Sequence, residues 1–188
     1  VVMTRMFRYL KSIVTALLLT AGLSLPASAQ ADKLDELYSK LADPANAQWE
    51  LTLSDILREW SKSGSPAMDL LLKRGQEAIE AGDFNLAIGH LTALTDHAPD
   101  FAEGWNARAT AYFLAGQFGP SVDDIRRTLA LNPRHFGALS GLGMILEQTG
   151  RNDAALKAFR QSLAMNPHQE GIEAAVKRLE QDATGTEL

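Results

Sequence analysis

The chain has 188 residues, of which 46% are hydrophobic and 22% are charged, a composition typical of a globular protein and not of a disordered one. Its formal net charge is −5 and it contains no cysteine, which excludes a disulfide framework and thiolate chemistry. The acidic balance also argues against a nucleic acid or an anionic membrane as partner, because neither attracts a negatively charged protein.

The first 29 residues have the order of a secretory signal peptide. Three basic residues within the first eleven positions precede an almost wholly apolar run from residue 13 to 25, and Ala27 and Ala29 follow in the A-x-A arrangement. We therefore predict cleavage after Ala29 and an exported, periplasmic protein, whose formal charge becomes −8 because the removed segment holds three bases and no acid. The apolar run is shorter than the roughly 20 residues that span a bilayer, and an uncleaved membrane anchor is the alternative.

Two amphipathic stripes follow within residues 30–65. Both have the spacing of helices with one buried face. The first comprises Leu34, Leu37, Tyr38 and Leu41, and the second Trp49, Leu53, Ile56, Leu57 and Trp60. We predict an N-terminal helical pair, either a cap or a degenerate repeat, which packs on the unit that follows because the linker SKSGSP is short.

Nearly the same stretch then occurs three times, at a spacing of 34 residues. The three copies are GDFNLAIGHLTALTDHAP, GQFGPSVDDIRRTLALNP and GRNDAALKAFRQSLAMNP, starting at Gly82, Gly116 and Gly150. Each copy contains one amphipathic helix, and another precedes its glycine. Glycine supplies a left-handed turn after a helix, and the final proline ends the second helix. Three helix-turn-helix units are thus predicted within 66–169, at 68–101, 102–135 and 136–169.

This layout resembles the tetratricopeptide repeat (TPR), a 34-residue helix-turn-helix with large, small and turn residues at fixed places. The matching residues are Trp105, Ala109, Tyr112, Gly116, Phe118 and Pro133 in the second copy, and Leu142, Gly143, Gly150, Ala155, Phe159 and Pro167 in the third. The resemblance implies an all-α, right-handed α-solenoid. A stripe of apolar residues further predicts a C-terminal capping helix over 170–180, followed by a flexible tail over 181–188.

Four charged side chains stand out within the repeats. Arg74 and Arg108 occupy a place that is often leucine in the family, and we expect their stems to lie along the core while their charged heads reach the solvent. Asp123 and Asp124 are interpreted as part of a solvated acidic face. These departures predict locally adjusted packing and leave the fold unchanged.

The sequence contains no motif for catalysis, nucleotide binding or metal binding, such as H-E-x-x-H, G-x-S-x-G or a P-loop. His90 and His97 lie seven residues apart on one helix near Asp96, which leaves a hydrolase or metal enzyme as the weaker alternative. Surface histidines explain them more simply. His135 and His168 follow the repeat prolines and are interpreted as part of the links between repeats. We predict no catalytic residue, cofactor or metal.

The TPR resemblance implies that the first helix of each repeat lines a concave groove. The expected lining residues are Asp69, Leu72, Gln76, Ile79, Glu80, Glu103, Asn106, Thr110, Phe113, Leu114, Ser140, Met144, Glu147 and Gln148. This mixture suits an extended or helical peptide whose apolar anchors are flanked by basic groups. The family's carboxylate clamp, which grips a C-terminal acid with Lys, Arg and Asn, is not supported, because only Asn106 fits it.

The predicted function is therefore a non-enzymatic adaptor or scaffold of the bacterial cell envelope that binds another protein or peptide in this groove. One alternative is a signal-anchored membrane scaffold in envelope assembly or cytochrome maturation, by analogy with the family. The metal-dependent enzyme is the other. The enzyme hypothesis places the functional residues on a helix outside the groove, whereas the adaptor and scaffold hypotheses place them in it.

Overall fold

The computed structural model describes residues 25–185, and side chains within residues 32–183. This range forms nine α-helices and no strand, as predicted for an all-α fold. They are α1 Leu25–Leu41, α2 Trp49–Trp60, α3 Pro66–Glu80, α4 Phe84–His97, α5 Ala102–Leu114, α6 Phe118–Leu131, α7 Phe136–Gln148, α8 Asn152–Met165 and α9 Glu170–Gly185. Most of the predicted signal peptide lies outside the described residues, and its cleavage point falls within α1. None of these nine helices combines the length and the apolar character needed to cross a membrane.

The three repeats share one turn geometry. Gly82, Gly116 and Gly150 have φ angles of 75°, 74° and 74°, in the left-handed region that favours glycine. In each turn the glycine N–H donates to the carbonyl three residues back, and the next N–H donates to the carbonyl five residues back, at 2.8–3.0 Å. The predicted helix-turn-helix units are therefore confirmed as α3–α4, α5–α6 and α7–α8.

Within a repeat, a small residue on the first helix faces a large apolar residue on the second. A Cβ atom at Gly75 would lie 2.5 Å from Cγ of Leu91, and one at Gly143 would lie 2.3 Å from Cε1 of Phe159. Both large side chains are fully buried. The absence of a Cβ thus sets how closely the paired helices approach.

The C-terminal helix α9 covers the last repeat and is longer than predicted. Its apolar stripe, which includes Ile172, Ala175 and Leu179, is buried in one cluster with Ala155 and Phe159 of α8. The helix continues past residue 180 because the next four residues contain no glycine or proline. The first part of the predicted flexible tail is therefore helical, and residues 186–188 lie outside the described range.

Arg108 and Asp124 are largely shielded from the solvent, contrary to the prediction. Their side chains are 13% and 7% exposed, and they form two hydrogen bonds, Nε to Oδ2 at 2.7 Å and Nη2 to Oδ1 at 2.9 Å. The Nη1 group of Arg108 also donates to the hydroxyls of Thr95 at 2.8 Å and Thr92 at 3.2 Å. Hydrogen bonding to Asp124 raises the pKa of the Arg108 guanidinium. The arginine is thus part of a bidentate ion pair that joins α5 to α6.

The corresponding charges elsewhere lie on the surface, as predicted. Arg74 is exposed. In the first repeat, the position that corresponds to Asp124 is occupied by His90, so Arg74 has no carboxylate opposite it. Asp123 forms an exposed pair with Arg126, in which both side chains are 72% accessible. Of Arg74 and Arg108, only Arg108 has a carboxylate opposite it on the second helix of its repeat, and its side chain is the less exposed of the two.

The N-terminal pair, α1 and α2, packs on the links between repeats and not on the first repeat. Its buried side chains form one cluster with Phe136, the first residue of α7, and Met165 packs against that cluster. The members from the pair itself are Leu37, Tyr38, Leu41, Ile56 and Trp60. The prediction that this pair packs on the unit directly after it is therefore wrong.

The sequence of α3 provides the physical reason. Ala107 and Ala111 of α5 are buried against the preceding repeat, whereas α3 has Lys73 and Glu77 at the corresponding places. These two side chains are 71% and 58% exposed and form an ion pair at 3.7 Å. Because a helix placed there would have to bury both charges, α3 is itself the polar end face of the solenoid.

Two stacked tryptophan–histidine pairs hold the N-terminal pair in place. Trp60 stacks on His135 with ring centroids 4.1 Å apart, and Trp49 stacks on His168 at 4.9 Å with an angle of 7°. The indole N–H of Trp60 donates to the hydroxyl of Tyr38 at 2.8 Å. The two histidines lie in the links between helices, as predicted, and they also bind α2.

His168→Ala is expected to loosen the N-terminal pair without unfolding the repeats. It removes the ring that stacks on Trp49, and such an aromatic pair contributes about 1 kcal/mol, or about fivefold in the packed population. Hydrogen exchange should accelerate in α2 and stay unchanged in α3 and α4. His90→Ala is the control, because His90 lies on α4, away from the links. Equal exchange rates of α2 in the two variants would contradict the assignment.

Candidate functional site

The first helices of the three repeats, α3, α5 and α7, line one continuous trough. It consists of an acidic cavity of about 380 Å³ between the first and second repeats and an apolar cavity of about 280 Å³ between the second and third. Asn106 and Thr110 of α5 border both cavities. The trough therefore extends over all three repeats without interruption.

Ten of the fourteen residues predicted to line the groove border the trough. They are Gln76, Ile79, Glu80, Glu103, Asn106, Thr110, Phe113, Leu114, Ser140 and Met144. The prediction from helix faces thus identified residues that the fold brings together from three helices.

The other four predicted residues lie elsewhere. Leu72 is only 2% exposed and belongs to the core beside Leu91 and Leu94, so its assignment to the groove surface is wrong. Asp69 accepts hydrogen bonds from Ser63 in the linker before α3. The remaining two are Glu147, which pairs with Arg178 of α9, and Gln148, which is exposed.

The hydrophobic surface of the apolar cavity is open to solvent. Leu114 and Met144 are 45% and 39% exposed, although both are large apolar side chains. Phe113 is half-buried, with its ring centroid 5.8 Å from that of Phe118. Such exposed apolar side chains around a concave surface are typical of an interaction site.

The hydroxyl groups of the apolar cavity are hydrogen-bonded within the protein. The hydroxyl of Ser121 donates to the carbonyl of Ala109 at 2.7 Å, and that of Ser140 lies 2.8 Å from the hydroxyl of Ser162. The hydroxyl of Thr110 donates to a backbone carbonyl one turn earlier at 3.1 Å. This cavity therefore offers a ligand mainly apolar contacts.

The two acids of the acidic cavity differ in their surroundings. Glu103 Oε2 lies 3.0 Å from Nε2 of His135, while Nδ1 of this histidine accepts the N–H of Ala138 at 3.0 Å. The proton of the neutral ring is therefore on Nε2, which donates to Glu103. Glu80 is exposed and has no hydrogen-bond or ion-pair partner among the side chains that the structure describes. It is the carboxylate available to a ligand.

His135 was not predicted as a neighbour of the groove. Its ring is 2% exposed, caps the N-terminus of α7, donates to Glu103 and stacks on Trp60. The position directly before a helix was the available signal, because a side-chain acceptor there can cap the first turn. The residue connects the acidic cavity to the N-terminal pair.

The three residues proposed for the alternative metal enzyme all belong to helix α4. Asp96 and His97 are exposed and His90 is half-buried. Within residues 32–183, no group of three His, Asp or Glu side chains is arranged to hold a metal ion. These three residues are therefore not brought together as a ligand set.

Comparison with known proteins identifies the repeats. A family model described as "Tetratricopeptide repeat" matches residues 72–119 and 115–170. A TPR repeat-containing protein of Rhizobium etli is 34% identical over 159 residues, which cover 84% of this chain and 78% of the relative. The bovine Protein SGT1 homolog is 26% identical over 121 residues, and this chain spans only 36% of its length.

Solved structures share the fold at lower identity. The first TPR of Spaghetti (RPAP3), bound to the HSP90 peptide SRMEEVD, has a TM-score of 0.61 and 22% identity, over 64% of this chain and 95% of that one. MamA has a TM-score of 0.59 and 20% identity, over 76% of this chain and 85% of that one. At these identities the likeness concerns the arrangement of helices.

Proposed function

The chain belongs to the tetratricopeptide repeat family, and we propose that it is a non-enzymatic adaptor that binds a segment of another protein in the trough. The observation that carries this proposal is the trough itself, in which Phe113, Leu114 and Met144 line the apolar cavity and Glu80 lines the neighbouring acidic cavity. The RPAP3 domain of the same fold holds an HSP90 peptide, which supports a peptide-sized ligand.

The proposal includes export to the bacterial cell envelope. It is supported by the basic, apolar and A-x-A order of residues 1–29 and by the acidity of the remaining chain. N-terminal sequencing of the native protein should find Gln30 as the first residue. A terminus that retains residues 13–25 would instead favour the membrane-anchored scaffold.

Phe113→Ala combined with Met144→Ala is expected to weaken binding of the partner about thirtyfold, because each lost apolar contact costs roughly 1 kcal/mol, and to lower the recovery of crosslinked partner from envelope extracts accordingly. The matched control is Leu51→Ala combined with Leu86→Ala, since these leucines are 67% and 51% exposed and lie outside the trough. Thermal melts should show that both variants remain folded. Equal recovery of partners with the two double variants would refute the adaptor function of the trough.

A further inference from the structure

We propose that the segment bound by the trough pairs one large apolar residue with one basic residue, the first in the apolar cavity and the second beside Glu80. This inference rests on the proposed adaptor function and specifies its ligand. It assigns each part of the ligand to one of the two cavities. It also fixes the sign of the charge that the trough selects.

The apolar cavity favours a leucine, methionine or phenylalanine side chain. Its volume is about 280 Å³, and an apolar cavity of about 150 Å³ already holds benzene. The hydroxyls of Ser121 and Ser140 already form hydrogen bonds within the protein, and Asn106 lies at the border with the acidic cavity, so a polar group inserted deep in this cavity would lose its water for few new hydrogen bonds. Met144 can adapt its shape to the inserted side chain.

The acidic cavity favours a cation. No lysine or arginine lines either cavity, so a carboxylate in the ligand would meet no opposite charge. Glu103 already bonds to His135 and lies near Asn106, with Oε1 3.4 Å from the amide Nδ2. Glu80, which has no such partner among the described side chains, is therefore the group that pairs with a base of the ligand.

The same charges act against acidic segments. A peptide that ends in glutamate and aspartate side chains would place them close to Glu80 and Glu103, where like charges repel. Removal of residues 1–29 makes the chain more acidic, which adds to this repulsion. The trough thus selects a ligand of opposite sign to the HSP90 peptide SRMEEVD held by the RPAP3 domain.

The separation of the cavities sets the spacing between the two ligand residues. Neighbouring packed helices lie about 8–10 Å apart, and the two cavities occupy successive gaps between α3, α5 and α7. An extended chain advances about 3.3 Å per residue and therefore spans this distance in about three residues. A helix, which rises about 1.5 Å per residue, needs about six.

The test is a selection of random 12-residue peptides, displayed on phage, against the purified protein. We expect enrichment of Leu, Met or Phe together with Lys or Arg at one fixed spacing.

An enriched peptide, synthesised with a fluorophore, should bind Glu80→Lys about tenfold more weakly than the wild type. The matched control Glu77→Lys makes the same charge change on α3 outside both cavities and should change the affinity less than twofold. The peptide with its base replaced by glutamate should prefer the Glu80→Lys protein.

A third variant, Met144→Asp, separates the possible outcomes. If it weakens binding while Glu80→Lys and Glu77→Lys behave alike, the trough binds the peptide but the charge inference is wrong. If none of the three variants changes binding, or if no peptide is enriched, the inference and the adaptor function both fail. Enrichment of acidic peptides that Glu80→Lys binds more tightly than the wild type would overturn the inference alone.

Discussion

Asp124→Ala is expected to destabilise the protein by about 2–5 kcal/mol, because it leaves the largely shielded guanidinium of Arg108 without its counter-ion. Both side chains lie in the interface between α5 and α6, and their two hydrogen bonds are 2.7 and 2.9 Å long. The hydroxyls of Thr92 and Thr95 stay in place but carry no charge to replace the carboxylate. Urea unfolding followed by circular dichroism measures the loss.

The adjacent acid provides the matched control. Asp123→Ala removes an exposed partner of Arg126 and should cost less than about 1 kcal/mol. Replacing Arg108 and Asp124 together by leucine should recover most of the stability, since no isolated charge is then buried. Equal losses for Asp123→Ala and Asp124→Ala would show that the ion pair of Arg108 does not hold α5 against α6.

The turns of the repeats were predictable because their causes are local. A glycine that follows a helix and a proline that ends one act within a few residues of themselves, so spacing in the sequence identifies them. The left-handed φ angles at Gly82, Gly116 and Gly150 are the direct result. The faces of α3, α5 and α7 were predictable for a similar reason, because one helical period governs each of them.

The buried ion pair was not predictable in this way. Arg108 and Asp124 are 16 residues apart, and no pattern in the sequence pairs one with the other. Only the register of α5 against α6 makes them face each other. A charge at a position that is usually apolar was a signal of unusual packing, but the sequence did not identify its partner.

The predicted position of the N-terminal pair was wrong for another reason. The prediction assumed that helices stack in chain order, as the repeats do. Lys73 and Glu77 occupy the positions at which Ala107 and Ala111 pack in the next repeat. This difference is visible in the sequence, and it indicates that α3 has a polar outer face. The aromatic contacts that replace stacking link residues far apart in the chain, such as Trp60 and His135. Periodicity carries no information about such contacts.

Gly143→Ala is expected to destabilise the protein by about 2 kcal/mol or more, although alanine is the better helix former. The added Cβ would lie 2.3 and 2.4 Å from two ring carbons of Phe159, a side chain with no exposed surface. Because the ring is fully buried and packed in the core, either it or the two helices α7 and α8 must shift to accept the added atom. The gain in helix propensity of about 1 kcal/mol offsets only part of this cost.

Gly141→Ala, two residues earlier on the same helix, is the matched control, and it should raise the free energy of unfolding where Gly143→Ala lowers it. Its Cβ would lie 3.7 Å from Cδ1 of Ile125, an ordinary contact, so the propensity gain of about 0.5–1 kcal/mol should appear as added stability.

The second repeat already has Ala109 and Ile125 where the third has Gly143 and Phe159. Gly143→Ala combined with Phe159→Ile should therefore cost less than the sum of the two single changes. Strict additivity, or a Gly143→Ala protein as stable as the Gly141→Ala protein, would mean that the glycine does not set the distance between these helices.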